Sequence, residues 1–133
     1  MAISFDKFLG IHDDALMIRS KRTEILASNI ANADTPGYKA QDIDFQQAMK
    51  SAQSGGSDFK MQTTSDKHIQ GTGFAIDGDI KYRQNNQPSV DGNTVETHTE
   101  KTAFAKNALE YSFTLEVLNK KFSGIRKALK TAG

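Results

Sequence analysis

The chain has 133 residues, of which 17 are Lys or Arg, 16 are Asp or Glu and none is Cys. The net charge of +1 argues against a nucleic-acid binder or a membrane-surface protein, and the lack of cysteine excludes disulfides, thiolate zinc sites and cysteine nucleophiles. Only 37% of the residues are hydrophobic, so we expect one domain with a thin core that relies on partners to bury its apolar surface.

The first region, residues 3–32, has the pattern of one long amphipathic helix. It contains no Pro, and Gly10 is its only glycine. Two neighbouring apolar rows recur at helical spacing. The rows consist of Phe8, Ile11, Ala15, Ile18 and Ile25, and of Leu9, Leu16, Leu26 and Ile30. No positively charged segment followed by an apolar one opens the chain, which argues against a cleaved secretory signal and, taken alone, indicates a cytoplasmic protein.

The middle region, residues 40–93, is rich in turn formers. A short amphipathic piece at 43–49 is followed at 51–57 by small polar residues and glycines, which predict a flexible loop. Asp77 and Gly78 stand between two short apolar runs, 74–76 and 80–82, and predict a β-hairpin. We therefore expect a small insert that is irregular or β-leaning.

The last region, residues 94–132, carries the strongest pattern in the chain. Eight successive positions of a heptad seam, spaced alternately by four and three, are apolar or aromatic. These positions are Phe104, Ala108, Tyr111, Leu115, Leu118, Phe122, Ile125 and Leu129. Charged residues, Glu100 and Glu110 among them, lie off this row, with acids early and bases late, as the helix dipole prefers.

Together these patterns predict a mainly α fold in which long N- and C-terminal helices pair as a coiled-coil-like hairpin. The expected organisation is a helix and turn over residues 1–39, a middle segment over 40–93 and a heptad helix over 94–133. The two helices carry more apolar surface than one partner covers. Either the chain oligomerises through these helices, which the thin middle region favours, or the middle folds back on them.

No pattern of catalytic or metal-binding chemistry stands out. None of the three histidines has another histidine three or four residues away, and the calcium-like segment 77–81 has a lysine where an oxygen ligand is needed. The five basic residues between 120 and 130 suit the end of a helix, and no aromatic residue outside the seam is available there for base stacking. We therefore expect no enzyme, cofactor, metal site, small-molecule substrate or nucleic-acid partner.

The stretch 27–40 predicts a helix end followed by a stiff turn. Pro36 fixes φ at the second turn position, and Gly37 accepts a positive φ at the third, as a type II turn requires. Asn29 and Asn32 lie in the last helical turn, where their side chains are placed to bond freed carbonyls or the turn backbone. Tyr38 presents a large amphipathic ring just beyond the turn.

These residues carry a resemblance to a known family. The stretch resembles the N-terminal motif of the bacterial flagellar axial proteins of rod and hook, which runs Asn-x-x-Asn-x-x-Thr-x-Gly-Tyr. Its named positions are matched by Asn29, Asn32, Thr35, Gly37 and Tyr38. The first residues of the chain and the segment 121–129 look like those of a proximal rod subunit.

The resemblance implies a structural role. Members of this family pair their terminal helices, stack helically into a tube, transmit torque and line the export channel. They are exported by the flagellar type III system without a cleaved signal peptide and assemble in the periplasm. Implied partners are other copies of the chain, other rod proteins, the rod–ring adaptor FliE, and MS-ring and export-gate components.

The same resemblance assigns expected roles to particular residues. The turn from Thr35 to Tyr38, with Pro36, is expected to set how the chain leaves the first helix. The heptad seam, with Leu16, Leu26 and Ile30 opposite it, is expected to hold the helix pair and its assembly. The alternative is a cytoplasmic helical adaptor or secretion-chaperone-like module.

Overall fold

The computed structural model describes residues 9–53, 80–84 and 89–131. Helix α1 spans Ile11–Ala31, strand β1 spans Gln41–Ile43 and helix α2 spans Phe45–Gln53. Strand β2 spans Ile80–Tyr82 and helix α3 spans Thr97–Thr131. The predicted architecture of two long terminal helices packed together, with a small β element between them, is confirmed.

The helix α1 starts directly after Gly10, a position within the span 3–32 that the apolar pattern predicted as one helix. Gly10 precedes it with a φ of 55°, so the helical run starts at Ile11, and residues 3–8 of the predicted helix lie outside the described part. The helix ends at Ala31, where the Asn32 N–H donates back to the Ser28 and Asn29 carbonyls at 3.1 and 3.2 Å.

The helices α1 and α3 pack along one another in antiparallel orientation. Arg19 of α1 pairs with Glu110 of α3, whereas Asn29 further along α1 bonds Glu100 earlier in α3. Among the described elements, this pair of helices shares the largest contact. No helix in residues 9–53, 80–84 and 89–131 combines the length and apolar character needed to cross a bilayer.

The apolar core lies between α1 and the middle region. Its buried members are Ile18, Ile25, Ile43 and Ala48, and Phe45, Met49 and Ile80 pack against it. The middle region thus folds back on α1, which is the alternative that the thin middle had disfavoured. The predicted amphipathic piece 43–49 is divided between two elements. Ile43 is the last residue of β1 and faces the core, and the part from Phe45 onward belongs to α2.

The two strands form a small antiparallel sheet. Asp42 stands opposite Lys81 and Ile43 opposite Ile80. The run 80–82 is therefore a strand, but in the described structure its partner is β1. The predicted turn at Asp77 and Gly78, together with the run 74–76, lies outside the described residues.

Candidate assembly site at the helix pair

Asn29, at the end of α1, joins three parts of the fold. Its side chain is fully buried, and its amide N–H donates to the Gln41 carbonyl at 2.7 Å and to Glu100 Oε2 at 3.0 Å. Its carbonyl Oδ1 accepts from the Gln41 backbone N–H at 3.1 Å and from the Tyr38 hydroxyl at 3.4 Å. One amide therefore holds the start of β1 and the first turn of α3 to the last turn of α1.

The turn that follows has the predicted geometry. Gly37 has a φ of 71°, and the Tyr38 N–H donates to the Thr35 carbonyl at 3.3 Å, with Pro36 between them. The Thr35 hydroxyl donates to Asn32 Oδ1 at 3.2 Å, while the Asn32 amide donates to the Ser28 carbonyl at 2.8 Å. The bond of Asn32 to a carbonyl of the last helical turn agrees with the expectation for it, whereas Asn29 bonds the backbone of β1 beyond the turn. The turn itself is exposed.

Asn93, to which sequence reasoning gave no role, closes the turn from the other side. Its side chain is 5% exposed, and its amide nitrogen lies 3.1, 2.7 and 3.0 Å from the carbonyls of Asn32, Ala33 and Thr35. The sequence feature that points to Asn93 is its position directly after Gly92, a glycine whose φ is 74° in the structure. Such a residue pair often ends a turn with a side chain aimed at backbone.

Two short backbone bonds join the same segments into a stem. The Gly37 N–H donates to the Asp91 carbonyl at 2.9 Å, and the Thr94 N–H donates to the Tyr38 carbonyl at 3.0 Å. A Cβ built on Gly92 would lie 3.8 Å from the Gly37 Cα, so the two chains approach closely here. The middle region therefore leaves and re-enters the helix pair at one place.

A chain of charges connects this stem to the sheet. Glu100 Oε1 accepts from Arg83 at 2.7 Å, Arg83 also bonds Asp42, and Arg22 holds Asp42 through two bonds of 2.8 and 2.9 Å. Glu100 lies off the predicted seam, yet its side chain is fully buried. Arg83 and Asn29 make that burial possible, because a buried carboxylate needs a cation and hydrogen bonds.

The network also sets the ionisation of its members. Burial by itself raises the pKa of Asp42, but the hydrogen bonds and charge of Arg22, with the bond from Arg83, outweigh it and hold that pKa below its ordinary value. The bond to Asp42 in turn raises the pKa of Arg22. Asp42 therefore stays ionised near neutral pH.

The seam predicted along α3 is divided between two faces. Phe104, Tyr111, Leu118 and Ile125 are buried or half-buried, whereas Ala108, Leu115, Phe122 and Leu129 are exposed. The inward row that alternates with the first set contains Glu100, Asn107 and Thr114, all buried. The seam therefore does not lie on one face of α3, because hydrogen-bonded polar residues occupy the inner positions between its buried members and its other members are exposed.

Asn107 shows why polar residues are placed inside. Its amide donates to the Arg19 carbonyl and to the Thr23 hydroxyl, both at 2.9 Å, so it ties the middle of α3 to α1. Opposite the inner row, Leu26 is buried, while Leu16 and Ile30 are half-buried. A pattern based only on hydrophobicity selects the neighbouring apolar positions instead and misses this row.

The surface of the helix pair retains large apolar side chains. On α3, Leu109 is 73% exposed and Phe113 is 68% exposed, and the two lie one turn apart. They are on another side of the helix from the exposed seam positions, which are called the row of Leu115 below and consist of Ala108, Leu115, Phe122 and Leu129. On α1, Ile11 and Met17 are 50% and 47% exposed. Sequence reasoning missed Leu109 and Phe113 because they lie off the heptad row, although their i, i+4 spacing was a visible signal.

Comparison with known proteins identifies this arrangement. A family model described as "Flagella basal body rod protein" matches residues 9–39, which include α1 and the turn. A flagellar basal body rod protein FlgB of Aeromonas hydrophila is 53% identical over 98% of both chains. The FlgB proteins of Escherichia coli K12 and Salmonella typhimurium are 39% and 42% identical over at least 94% of both chains. The chain belongs to the FlgB family of flagellar basal body rod proteins.

Membership of the FlgB family indicates the functional class of the chain. The chain is a structural rod subunit of the flagellar basal body and not an enzyme. This excludes a cytoplasmic adaptor as its main role. Within the described residues, the features that suit such a subunit are the stem that fixes the helix pair and the apolar side chains that the pair leaves in solvent.

Proposed function

We propose that this FlgB-family chain is a subunit of the proximal rod, which assembles helically with copies of itself and with other rod proteins. The observation that supports this most directly is the exposed row of Leu115, Phe122 and Leu129 on α3, next to a buried face. A soluble monomer rarely leaves such large side chains exposed together. A contact between two different surfaces of the same chain repeats without closing and so builds a filament.

The stem supports the proposed division of the chain. Residues 1–39 and 94–133 form the helical domain that packs in the filament, and residues 40–93 form a middle segment attached at the stem. In this proposal the motif from Asn29 to Tyr38 fixes the exit of the chain from α1. The exposed members of the heptad row make contacts between subunits, while the inner members hold the helix pair.

The remaining parts of the proposal concern location and partners. The resemblance supports export by the flagellar type III system without a cleaved signal peptide and assembly in the periplasmic part of the basal body. FliE, the MS ring and the export gate are the proposed partners at its base. The small core, confined to a few residues around Ile18 and Ile43, suits a chain that passes unfolded through a narrow channel. In the assembled rod the subunit transmits torque and lines the channel.

An in-frame deletion tests the proposal. We expect isolated basal bodies to show rings without a rod in electron micrographs, and hook protein to be absent from the culture medium. Complementation with the unaltered chain is the control and restores both. Intact rods and secreted hook protein in the deletion strain would contradict the proposed place of the subunit at the base of the axial structure.

A further inference from the structure

A groove with basic walls runs between α1 and α3 on the side away from the row of Leu115. It encloses about 480 Å³, and its lining residues are Arg22, His98, Thr99, Thr102, Ala103 and Lys106. Arg22 uses Nε and Nη2 to hold Asp42. Within the described residues, no carboxylate pairs with the ammonium of Lys106 or with the His98 ring. The groove therefore offers cationic groups to a ligand of opposite charge.

The two threonines line the groove, but their hydroxyl groups already donate hydrogen bonds within the chain. The Thr99 hydroxyl donates to Glu96 Oε2 at 3.1 Å, and the Thr102 hydroxyl donates to the His98 carbonyl at 2.8 Å. Both donors are thus already engaged. Recognition in the groove falls to Lys106, His98 and the remaining Nη1 of Arg22, which favour a carboxylate.

The groove continues into an apolar patch. Leu109 and Phe113 follow Lys106 by three and seven positions, so all three side chains project from the same side of α3. Leu109 and Phe113 are among the most exposed apolar residues of the described structure. A complementary surface would therefore present acidic groups followed by an apolar side chain.

The start of α1 has that character. Asp13 and Asp14 lie in its first turn, and Met17, 47% exposed, follows one turn later. Neither carboxylate has a cationic partner among the described residues. Burial and, secondly, the charge of Asp13 raise the pKa of Asp14, as expected of a carboxylate that no cation of the described residues compensates.

We propose that the acidic start of α1 of one copy docks on the basic groove and the Leu109–Phe113 patch of the next copy. In this contact Asp13 and Asp14 face Lys106 and His98, and Met17 packs on the patch. The order of groups requires the docked α1 to run parallel to the α3 that receives it. The inference rests on the proposed function, since it supplies one of the contacts by which the subunits repeat.

The contact has to be made between copies. Within one chain, Asn107 bonds α1 at Arg19 and Thr23, so Lys106 lies near that level. Asp13 is six to ten positions further toward the start of α1, which at about 1.5 Å per residue places it roughly 9–15 Å away along the axis. Each copy therefore binds one neighbour through its groove and a second neighbour through its acidic turn, so the contact repeats from copy to copy.

Cysteine cross-linking tests this inference cleanly, because the chain contains no cysteine of its own. The Asp13→Cys and Lys106→Cys variants are produced together in the deletion strain, and isolated basal bodies are oxidised mildly. We expect a disulfide-linked dimer of the two variants. The matched control replaces Lys106→Cys by Lys50→Cys, an exposed lysine in α2 that lies outside both helices of the pair. Equal cross-linking of Asp13→Cys to both partners, or none to either in assembled rods, would overturn the proposal.

Charge reversal gives a second readout. Lys106→Glu is expected to abolish swimming without lowering the melting temperature of the purified subunit, because Lys106 is exposed. Adding Asp13→Lys to the same chain should restore swimming in part, and Lys50→Glu, at an exposed lysine of α2, should swim normally. Normal swimming of Lys106→Glu would refute the docking contact while leaving the rod function intact. By contrast, the proposed rod function would be refuted only if the deletion strain still built rods.

Discussion

Replacing Asn29 with alanine removes the side chain on which the junction of α1, β1 and α3 depends. The Gln41 N–H and C=O each lose a partner, and Glu100 Oε2 loses the only hydrogen bond described for it. Gln41 is half-buried, so each of its two groups costs about 1 kcal/mol, whereas the fully buried carboxylate oxygen costs about 2 kcal/mol. The expected loss is about 4 kcal/mol, a large part of the roughly 5–15 kcal/mol that stabilises a small domain.

Urea unfolding followed by far-UV circular dichroism measures that loss, and amide exchange at Gln41 localises it. Asn32→Ala is the matched control, since it is the same substitution in the same motif. Asn32 bonds only the Ser28 carbonyl and the Thr35 hydroxyl at an exposed helix end, so its loss is expected to cost about 1 kcal/mol. If the two variants unfold at the same urea concentration, the argument from buried partners is refuted.

Three further predictions address the helix pair, the turn and the charge network. Leu118→Asp buries a carboxylate and should cost several kcal/mol in urea unfolding, whereas Leu115→Asp should change stability by less than about 0.5 kcal/mol yet still block rod formation in basal bodies. Gly37→Val should destabilise by about 1–2 kcal/mol because of its φ of 71°, while Gly124→Ala in α3 should stabilise by about 1 kcal/mol; a stable Gly37→Val variant would contradict the turn geometry. Because the pKa of Asp42 is lowered in the folded state, its contribution to stability is present above its ordinary value of 3.8 and is lost as pH falls through the lowered value. Asp42→Asn should therefore show a shallower fall of melting temperature with acid, and an unchanged pH profile would count against the network.

Much of the fold and of the turn could be read from the sequence, because those features depend on local chemistry. The amphipathic rows of the two long helices determine their existence, and Pro36 followed by Gly37 determines the turn. The pairing of Asn29 and Asn32 with backbone also follows from the preference of amide side chains at helix ends. Gly10 was visible too, but its effect on the start of α1 depends on a positive φ that composition alone does not dictate.

The inner row of α3 could not be predicted in the same way. Glu100 and Asn107 are polar, and their burial depends on partners that are distant in sequence, namely Arg83, Asn29 and the carbonyl of Arg19. A hydrophobic pattern places such residues in solvent by default. The register of the helix pair is therefore set by hydrogen bonds between elements, and the apolar positions displaced from the inside become exposed surface.

The stem formed by Gly37, Tyr38, Asp91 and Thr94 has a consequence for how the length of the chain is able to change. Since the segment between Tyr38 and Asp91 starts and ends at this stem, an insertion or deletion there that leaves β1, α2 and β2 in place alters mainly the entropy of closing a loop. Each doubling of such a loop costs about 0.6 kcal/mol, far less than the loss of one buried partner of Asn29. Segments of very different size are thus expected at this point without a change in the pairing of α1 with α3.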